Sequence, residues 1–519
     1  MDARKAQFVN NSEIFLGDDI ASTAECTTKK ISKKTFLKDC QKAYQEASKK
    51  AYKKESLYAC IVILCAWAFY LYEYILRVSP NVLQQFLMQD YAITATTVGV
   101  ISSAYYWSYT PLQLPCGIIV DRLGARVVIM ASTFLCVLGC FFFANSDSVT
   151  TSIFGRLLMG MGSACAYISC AKIGAEWFNA DRFAIIAGIG MFMGTVGGLL
   201  SAVTSILVEA FDWRGAMMIL GIVGIGVFCL AWIIMADSPA SVTSNKAGLP
   251  ATDDDEDENN SAVTCATVGG ATGGSPTESC ATEESPIPAS PVTDAPKTRL
   301  LDGLKIAEEN PQNWLIGVYG CMMYLPLCAF AELWGVPYLK LLYDVDSTMA
   351  SLACGSVFIG VGIGSIVGAW LSNKIQSRTR IMSIAAIGTF ACFFVVFYVP
   401  SLSFTSMRVL LFVGGLFSGG QTLYFVAVKE NMPNQFAATA IGFTNAFVMS
   451  SAILFQPLLG LILDYVWNGA LDIDDVPVYT IDNYKVAFTA VMLAFVIGWI
   501  VLLFVKDTYL KEKDILNNQ

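Results

Sequence analysis

The sequence predicts an all-α membrane protein, with twelve transmembrane helices arranged as two six-helix bundles. Three observations predict it. Of 519 residues, 55% are hydrophobic and only 14% are charged, fewer charges than a soluble protein of this length carries. The apolar residues gather in runs of about 20, the length that crosses a hydrocarbon core of roughly 30 Å. The runs fall as six, then a long polar interval, then six more.

Taken in order, residues 1–56 form a polar, lysine-rich segment. It has no short apolar core followed by a cleavage site, so no signal peptide is expected. Ten lysines lie between Lys29 and Lys54. They point to a helix near the membrane surface, drawn to anionic lipid on the cytosolic side. Residues 57–236 carry apolar runs at roughly 57–79, 94–120, 127–144, 151–175, 183–208 and 214–236. Runs this long and uniform are helices, because barrel strands are shorter and alternate. Residues 237–312 are rich in Ser, Thr, Pro, Ala, Gly and acid, with the run Asp253–Glu258 (DDDEDE). This composition cannot bury a core, so a disordered acidic cytosolic linker is expected. Residues 313–506 repeat the six-run pattern, at roughly 313–340, 349–373, 380–400, 407–429, 436–465 and 484–506, and 507–519 form a cytosolic tail.

An even number of crossings puts both termini on one side. That side holds the N-terminal lysines, Arg122, Arg126, Arg182, Lys374, Arg378, Arg380, Lys429, Lys511 and Lys513. The opposite loops are acidic or neutral, such as LDIDDVPVYTID at 471–482. Both termini are therefore expected in the cytoplasm, the membrane being a bacterial inner membrane.

Composition also excludes. The chain has no histidine, and none of its 16 cysteines forms a CxxC pair. Zinc and haem sites do not fit, and no cofactor is expected. Twelve cysteines lie inside apolar runs, Cys60, Cys136 and Cys354 among them, as small apolar residues. Cys26, Cys40, Cys265 and Cys280 lie in the polar segments. No P-loop is present, which argues against an ATP-driven pump. No nucleophile–base pair or metal cluster stands out, so an enzyme is not expected. The partners implied are a small-molecule solute, protons and the lipid bilayer, for a monomer that binds no nucleic acid.

The two halves resemble each other. Gly117-Ile-Ile-Val-Asp121-Arg122 follows the second run, and Gly368-Ala-Trp-Leu-Ser372-Asn373 follows the eighth. Glu176–Gly188 follows the fourth, and Glu430–Gly442 the tenth. Glu73 precedes Pro80 in the first, and Glu332 precedes Pro337 in the seventh. Parallel six-helix repeats with a site between them are a transporter architecture.

The stretch GIIVDRLGAR (117–126) resembles the G-x-x-x-D-R-x-G-R signature of the major facilitator superfamily. RLLMGMGSA (156–164) is similar to that family's fourth-helix R-x-x-x-G-x-G pattern. GMFMGTVGG (190–198) is similar to its glycine-rich fifth-helix motif, with Thr195 where many members have proline. The resemblance covers residues 57–506. It implies a conformational latch of Gly117, Asp121, Arg122, Gly124 and Arg126, with Arg156 alongside. Gly117 and Gly124 would allow close approach and a tight turn. Asp121 would lie against the N-terminus of the eleventh helix, near Asn434. Ser372 replaces the acid in the second copy, so one latch should dominate. AYYWSYTPLQLPCGIIVDRLG, FAELWGVPYL and FQPLLGLILD further resemble a bacterial group of the family that includes nutrient importers of intracellular gammaproteobacteria, several of which carry amino acids.

Ionisable residues inside a membrane are functional candidates by default. Glu73 and Arg77 stand at i, i+4 in the first run. They read either as a structural ion pair or as a site in which Arg77 binds a substrate carboxylate and Glu73 takes a coupling proton. Glu332 is the counterpart in the seventh run, as a second proton site or a hydrogen bond to a neighbouring helix. Lys172 reads as a snorkelling residue or a partner of Glu176. Trp67, Tyr70, Tyr74, Tyr106, Gln113, Tyr167, Tyr324, Gln421, Tyr424 and Asn445 are candidates to line the cavity. Their concentration in the first half favours a polar or zwitterionic solute over a greasy drug. The leading reading is a proton-coupled importer of a small carboxylate-bearing solute, such as an amino acid, short peptide or organic acid. A drug or metabolite exporter and a non-transporting membrane sensor remain as alternatives.

Overall fold

The protein is described here by a computed structural model, which covers residues 57–178, 180–236, 300–433, 436–472 and 475–509, leaving aside the side chains of 180–185, 187, 188, 191 and 300–302. The lysine-rich segment, Cys26, Cys40, Cys265, Cys280, the acidic run, Asn434, the Arg182 side chain, Lys511 and Lys513 lie outside the described residues. Among those described, regular structure is helical apart from one isolated bridge between Leu471 and Pro477.

The first half is built from α1 (Leu57–Val78), α2 (Pro80–Tyr91), α3 (Ala95–Leu112), α4 (Cys116–Leu123), α5 (Ala125–Ala144), α6 (Val149–Ser163), α7 (Ala166–Trp177), α8 (Ala180–Leu199) and α9 (Ser201–Ile234). The second half follows with α10 (Leu300–Glu309), α11 (Pro311–Met323), a π-helical segment Pro326–Trp334, α12 (Gly335–Tyr343), α13 (Ser347–Ile375), α14 (Arg378–Tyr398), α15 (Phe404–Gly419), α16 (Leu423–Glu430), α17 (Ala437–Tyr465) and α18 (Ile481–Leu502).

Ten stretches of described helix are long and apolar enough to cross a membrane. Twelve crossings arise because two cases depart from one helix per crossing. The second crossing is α3 plus α4, interrupted just after Pro111. Proline lacks the N–H that would continue the ladder. Conversely Phe192–Ile234 reads as one 43-residue stretch, but Asp212 breaks it with φ 63° and ψ 167°. At about 1.5 Å per residue it is twice too long for one crossing.

One expectation needs correction. The interval 237–312 does not stay irregular to its end, because α10 occupies Leu300–Glu309. Ala307 on it is fully buried, and its carbonyl accepts from Asn313 Nδ2 at 3.0 Å. The apolar positions of LLDGLKIAEE recur at helical spacing, which the neighbouring low-complexity sequence masks.

Polar residues start the helices of the second half. Asn310, Asp346, Ser377, Ser403 and Thr480 each accept a backbone N–H from the first turn, satisfying donors that lipid cannot. Asp507, beyond α18, reinforces the start of α14. It accepts from Ser377 Oγ, from the Arg378 N–H at 3.2 Å and from Thr379 Oγ1 at 2.9 Å. Burial pushes its carboxyl up, but these donors outweigh burial and hold it below the usual carboxylate range.

Small residues let backbones touch, as expected where lipid offers no hydrophobic drive between helices. A methyl carbon added at Gly364 on α13 would sit 2.0 Å from the Leu416 carbonyl of α15. One at Gly160 on α6 would sit 1.9 Å from the Tyr105 carbonyl of α3. Gly364→Val should therefore cost about 1–3 kcal/mol by overpacking and lower the thermal melt of the purified protein. Gly117→Ala should leave the melt unchanged, because nothing lies within 4 Å of that position. Equal melts for wild type and Gly364→Val would show that the α13–α15 contact is not tight.

Candidate functional site

The site grows from the end of α1. The helix stops at Val78, and Pro80 opens α2 after one residue. That break frees carbonyls inside the bundle. Arg156 on α6, only 1% exposed, donates to the carbonyls of Leu76 at 2.7 Å, Arg77 at 3.3 Å and Ser102 at 3.4 Å. It thus fixes the last turn of α1 against α3.

Arg77 lies on that turn and Glu73 one turn before it, 4% and 0% exposed. One guanidinium nitrogen of Arg77 stands 3.3 Å from both carboxylate oxygens of Glu73. Tyr105 on α3 closes a triangle: its hydroxyl accepts from Arg77 Nε at 3.3 Å and donates to Glu73 Oε2 at 2.9 Å. The guanidinium carbon lies 4.4 Å from the ring centre of Tyr74 and 4.8 Å from that of Tyr109. Aromatic rings replace water around the cation.

The second carboxylate comes from the other half. Glu332 is 1% exposed and lies in the π segment. Tyr106 on α3 donates to its Oε2 at 2.5 Å, while its Oε1 is buried with no hydrogen-bond partner among the described residues. Tyr105 and Tyr106 are adjacent, with ring centres 5.2 Å apart. Two neighbouring tyrosines on one helix therefore hold one carboxylate from each half.

The other candidates surround this centre unevenly. Tyr70 packs between Tyr74, at 5.7 Å, and Tyr167, at 5.9 Å. The glycine-rich stretch of α8 makes room for these rings. A methyl carbon would meet Tyr70 Oη at 2.7 Å from Gly194, Tyr74 Cβ at 2.5 Å from Gly197 and Phe358 Cγ at 2.3 Å from Gly198. Tyr424 donates to Asn445 Oδ1 at 2.7 Å, Asn445 donates to Gln113 Oε1 at 3.3 Å, and Gln113 donates to the Ala164 carbonyl at 3.1 Å. This chain of bonds joins the halves away from the carboxylates. Trp67, Tyr324 and Gln421 are buried, the last with Oε1 unpartnered among the described residues.

Asp121 is exposed and pairs within its own half, 3.0 Å from Lys172 Nζ on the adjacent α7, which also stands 3.9 Å from Glu176. Asn434, beside which the latch is expected when the cytoplasmic side is closed, lies outside the described residues. Gly124 does make the expected tight turn, with φ 79°, but Gly117 meets no close neighbour. Arg122 is exposed, and Arg126 donates to the Trp232 carbonyl at 3.2 Å. In the second copy Arg378 pairs with Glu430 at 2.8 Å and bonds Ser372 Oγ at 3.0 Å.

A carboxylate does cap a helix of the opposite half, but at the other end of the bundle. Asp464, near the end of α17, accepts from Thr94 Oγ1 at 2.6 Å, Thr96 Oγ1 at 2.5 Å, and the N–H groups of Ala95 at 3.1 Å and Thr96 at 2.9 Å. Tyr479 also donates to it. The backbones meet beneath it: a methyl carbon at Gly460 would sit 2.4 Å from the Ala95 carbonyl, and one at Gly99 2.5 Å from the Gln456 carbonyl. Thr348 reaches Ser205 at 3.2 Å and Glu209 at 3.4 Å near the same end. Asn81 on α2 completes this group. Its amide donates to the Ala331 carbonyl at 2.5 Å and accepts the Val336 N–H at 3.2 Å.

Sequence reasoning missed Tyr105, Tyr109, Asn81 and Asp464. The tyrosines could have been found from the spacing 105, 106, 109, which lines one helix face. Asn81 and Asp464 are polar residues in apolar surroundings, but nothing local says which helix they reach.

The profile described as Major Facilitator Superfamily matches residues 60–457 and 322–515. The membrane sensor protein UhpC of Salmonella typhimurium is 23% identical over 417 residues, 79% of this chain and 86% of that protein. A probable hexose phosphate transport protein of Chlamydia pneumoniae is 24% identical over 436 residues, 82% of this chain and 89% of that protein. Among solved structures, a bacterial homologue of the human lysosomal transporter Spinster, inward-facing and unoccupied, shares the fold. Its TM-score is 0.65 at 14% identity, over 86% of this chain and 97% of that one.

The Asp464 cap generates a prediction. Asp464→Asn keeps the shape but removes the charge facing the α3 amides, at a cost of about 1–2 kcal/mol. That moves a two-state ratio roughly five- to thirtyfold. In a cysteine-depleted protein carrying Thr97→Cys, maleimide labelling should accelerate severalfold on adding Asp464→Asn. Unchanged labelling would show that the junction does not depend on this charge.

Proposed function

The chain belongs to the major facilitator superfamily, and from that footing we propose that it is a proton-coupled importer of a small carboxylate-bearing solute, working by alternating access. It is a multi-pass membrane transport protein and not an enzyme; solute, direction and coupling are the proposal. The observation that carries it is the buried Glu73–Arg77 pair, with Tyr105 bonded to both members.

The chemistry runs through exchange of partners. A solute carboxylate arriving at Arg77 offers the planar, two-oxygen geometry that guanidinium fits best. It competes with Glu73 for the same cation. Glu73, losing its counter-charge in a buried site, then takes up a proton, because an isolated buried carboxylate is costly. Solute and proton are therefore bound together. Once both are bound, the solute carboxylate and the proton together leave the net charge of the centre unchanged, and the halves are free to rock around it.

Charge balance bears on the solute. Among the described residues, the charged groups at the centre are Arg77, Glu73 and Glu332, with Arg156 facing Glu332 while it donates to backbone carbonyls. A phosphate dianion, as the names of the Chlamydia relatives suggest for those proteins, would add two negative charges to two cations already matched by two acids. A monocarboxylate or a zwitterion suits the balance better. On this reading the domain boundaries follow the sequence: bundles at 57–236 and 313–506, with cytoplasmic segments outside and between them. The Asp121 end then faces the cytoplasm and the Asp464 end faces outward. The junctions at Asp464, Thr348 and Asn81 support reading this as an inward-facing arrangement, of a monomer in the inner membrane.

Purified protein in proteoliposomes tests the reading, with uptake of labelled amino acids, dipeptides and organic acids under an inside-alkaline pH gradient. Wild type should accumulate a solute, and Glu73→Gln should lose accumulation yet keep exchange, because the neutral amide mimics the protonated acid. Arg77→Lys should weaken half-saturation about tenfold or more, as the fork is lost while the charge stays. Accumulation by Glu73→Gln would move the coupling site to Glu332. No accumulation of any solute by wild type would favour the sensor reading that the UhpC relative's name raises for that protein.

A further inference from the structure

The π segment of the seventh crossing raises a question that the transport reading leaves open: what holds it in that register? In a π helix the N–H of residue i+5 meets the carbonyl of residue i. The Gly335 N–H does this with the Phe330 carbonyl. The next such pair is the Val336 N–H and the Ala331 carbonyl. Between those two groups stands the side chain of Asn81, 1% exposed, donating to one at 2.5 Å and accepting from the other at 3.2 Å. A primary amide from the first half thus completes a backbone ladder of the second.

The remaining anchors of the segment come from its own half. Trp334 Nε1 donates to the Gln456 carbonyl at 3.2 Å, and Gln456 Nε2 donates to the Cys328 carbonyl at 2.8 Å. From the first half, Asn81 grips the backbone on either side of Glu332, and Tyr106 grips its carboxylate.

We propose that Asn81 is a positioning residue: while the halves meet at the Asp464 end its amide holds the helix in π register, and its withdrawal lets that helix close on itself and turns Glu332 away from Tyr106. The physical drive is simple. A backbone carbonyl and N–H left open inside a membrane bundle must find partners, and the nearest are those of the same helix in α register. Register change rotates the residues it spans, and Glu332 directly follows Ala331. The state of the outer junction is thereby passed to a carboxylate at the centre without a contact between Asn81 and that carboxylate. The proposal rests on the reading of Glu332 as a proton site.

Glu332 is faced by Tyr106 on α3, by Arg77, Glu73 and Tyr74 on α1, by Arg156 on α6, and by Tyr324 and Cys328 on its own crossing. All of these but Cys328 lie outside the π segment, and none of them is bonded to Asn81, so a change at Glu332 on altering Asn81 reports the helix.

Infrared difference spectra of the solute-free protein in nanodiscs, titrated from pH 4 to 10, test it. The Glu332 carboxyl band is identified as the one lost in Glu332→Gln. Asn81→Leu keeps the volume and removes both bonds; Asn81→Ala is the second variant should the first fail to fold, with circular dichroism confirming the helix content. The band should shift its midpoint by at least about threefold in proton concentration, or shift in frequency, in a folded variant. The same midpoint and frequency as wild type, or no Glu332 band in any protein, would overturn the proposal. Because no solute is present, failure here is separate from failure of the transport reading. That reading falls instead if wild-type proteoliposomes accumulate nothing.

Discussion

Two guanidiniums and two carboxylates cannot be buried in a membrane-spanning bundle unless each finds partners, and most of what is specific in this protein follows from that constraint. Arg77 is neutralised one turn away by Glu73 and covered by tyrosine rings. Tyr105 ties acid to base. Arg156 spends its donors on the carbonyls that the break in α1 exposes. The glycines of α8 have no side chain so that Tyr70 and Tyr74 can stand where they do. Removing one ion would leave the other buried and unpaired, which is the costly case. A solute able to substitute for one of the ions is the cheap way to exchange partners, and this is what the proposed mechanism uses.

The two ends of the bundle handle charge in opposite ways. At the Asp121 end, acids meet bases of their own half, as Asp121 meets Lys172 and Glu430 meets Arg378. At the Asp464 end, polar groups cross between halves and meet backbone: Asp464 on the α3 amides, Asn81 on the π segment. Pairs inside a half survive any rocking of the halves, whereas bonds across the halves must break and re-form. Bonds across the halves are concentrated at the Asp464 end, with the Asn445–Gln113 bond as a further link deeper in the bundle.

Much of the fold was legible because hydropathy is a property of composition, and lipid enforces it crossing by crossing. The six-plus-six pattern and the Glu73–Arg77 spacing needed no knowledge of neighbours. Other features depended on tertiary structure and were not legible. Asp121 meets Lys172 on the adjacent helix, a pairing that no local spacing announces. Asp464 sits in a stretch whose resemblance was noted, yet only the close approach allowed by Gly460 and Gly99 brings α3 to it. The π register at Glu332 leaves no trace in the order FAELWGV, because its cause is an asparagine about 250 residues earlier in the chain. The helix Leu300–Glu309 was hidden by averaging over the polar interval in front of it.

The central claim is that a solute carboxylate takes the place of Glu73 at Arg77 while Glu73 takes up a proton. The most direct measurement counts protons: purified protein in weakly buffered detergent, with a pH indicator, titrated with a solute that proteoliposomes accumulate. The account expects close to one proton taken up per solute bound, and none in Glu73→Gln. Solute binding with no proton uptake by wild type, or equal uptake by wild type and Glu73→Gln, would contradict it.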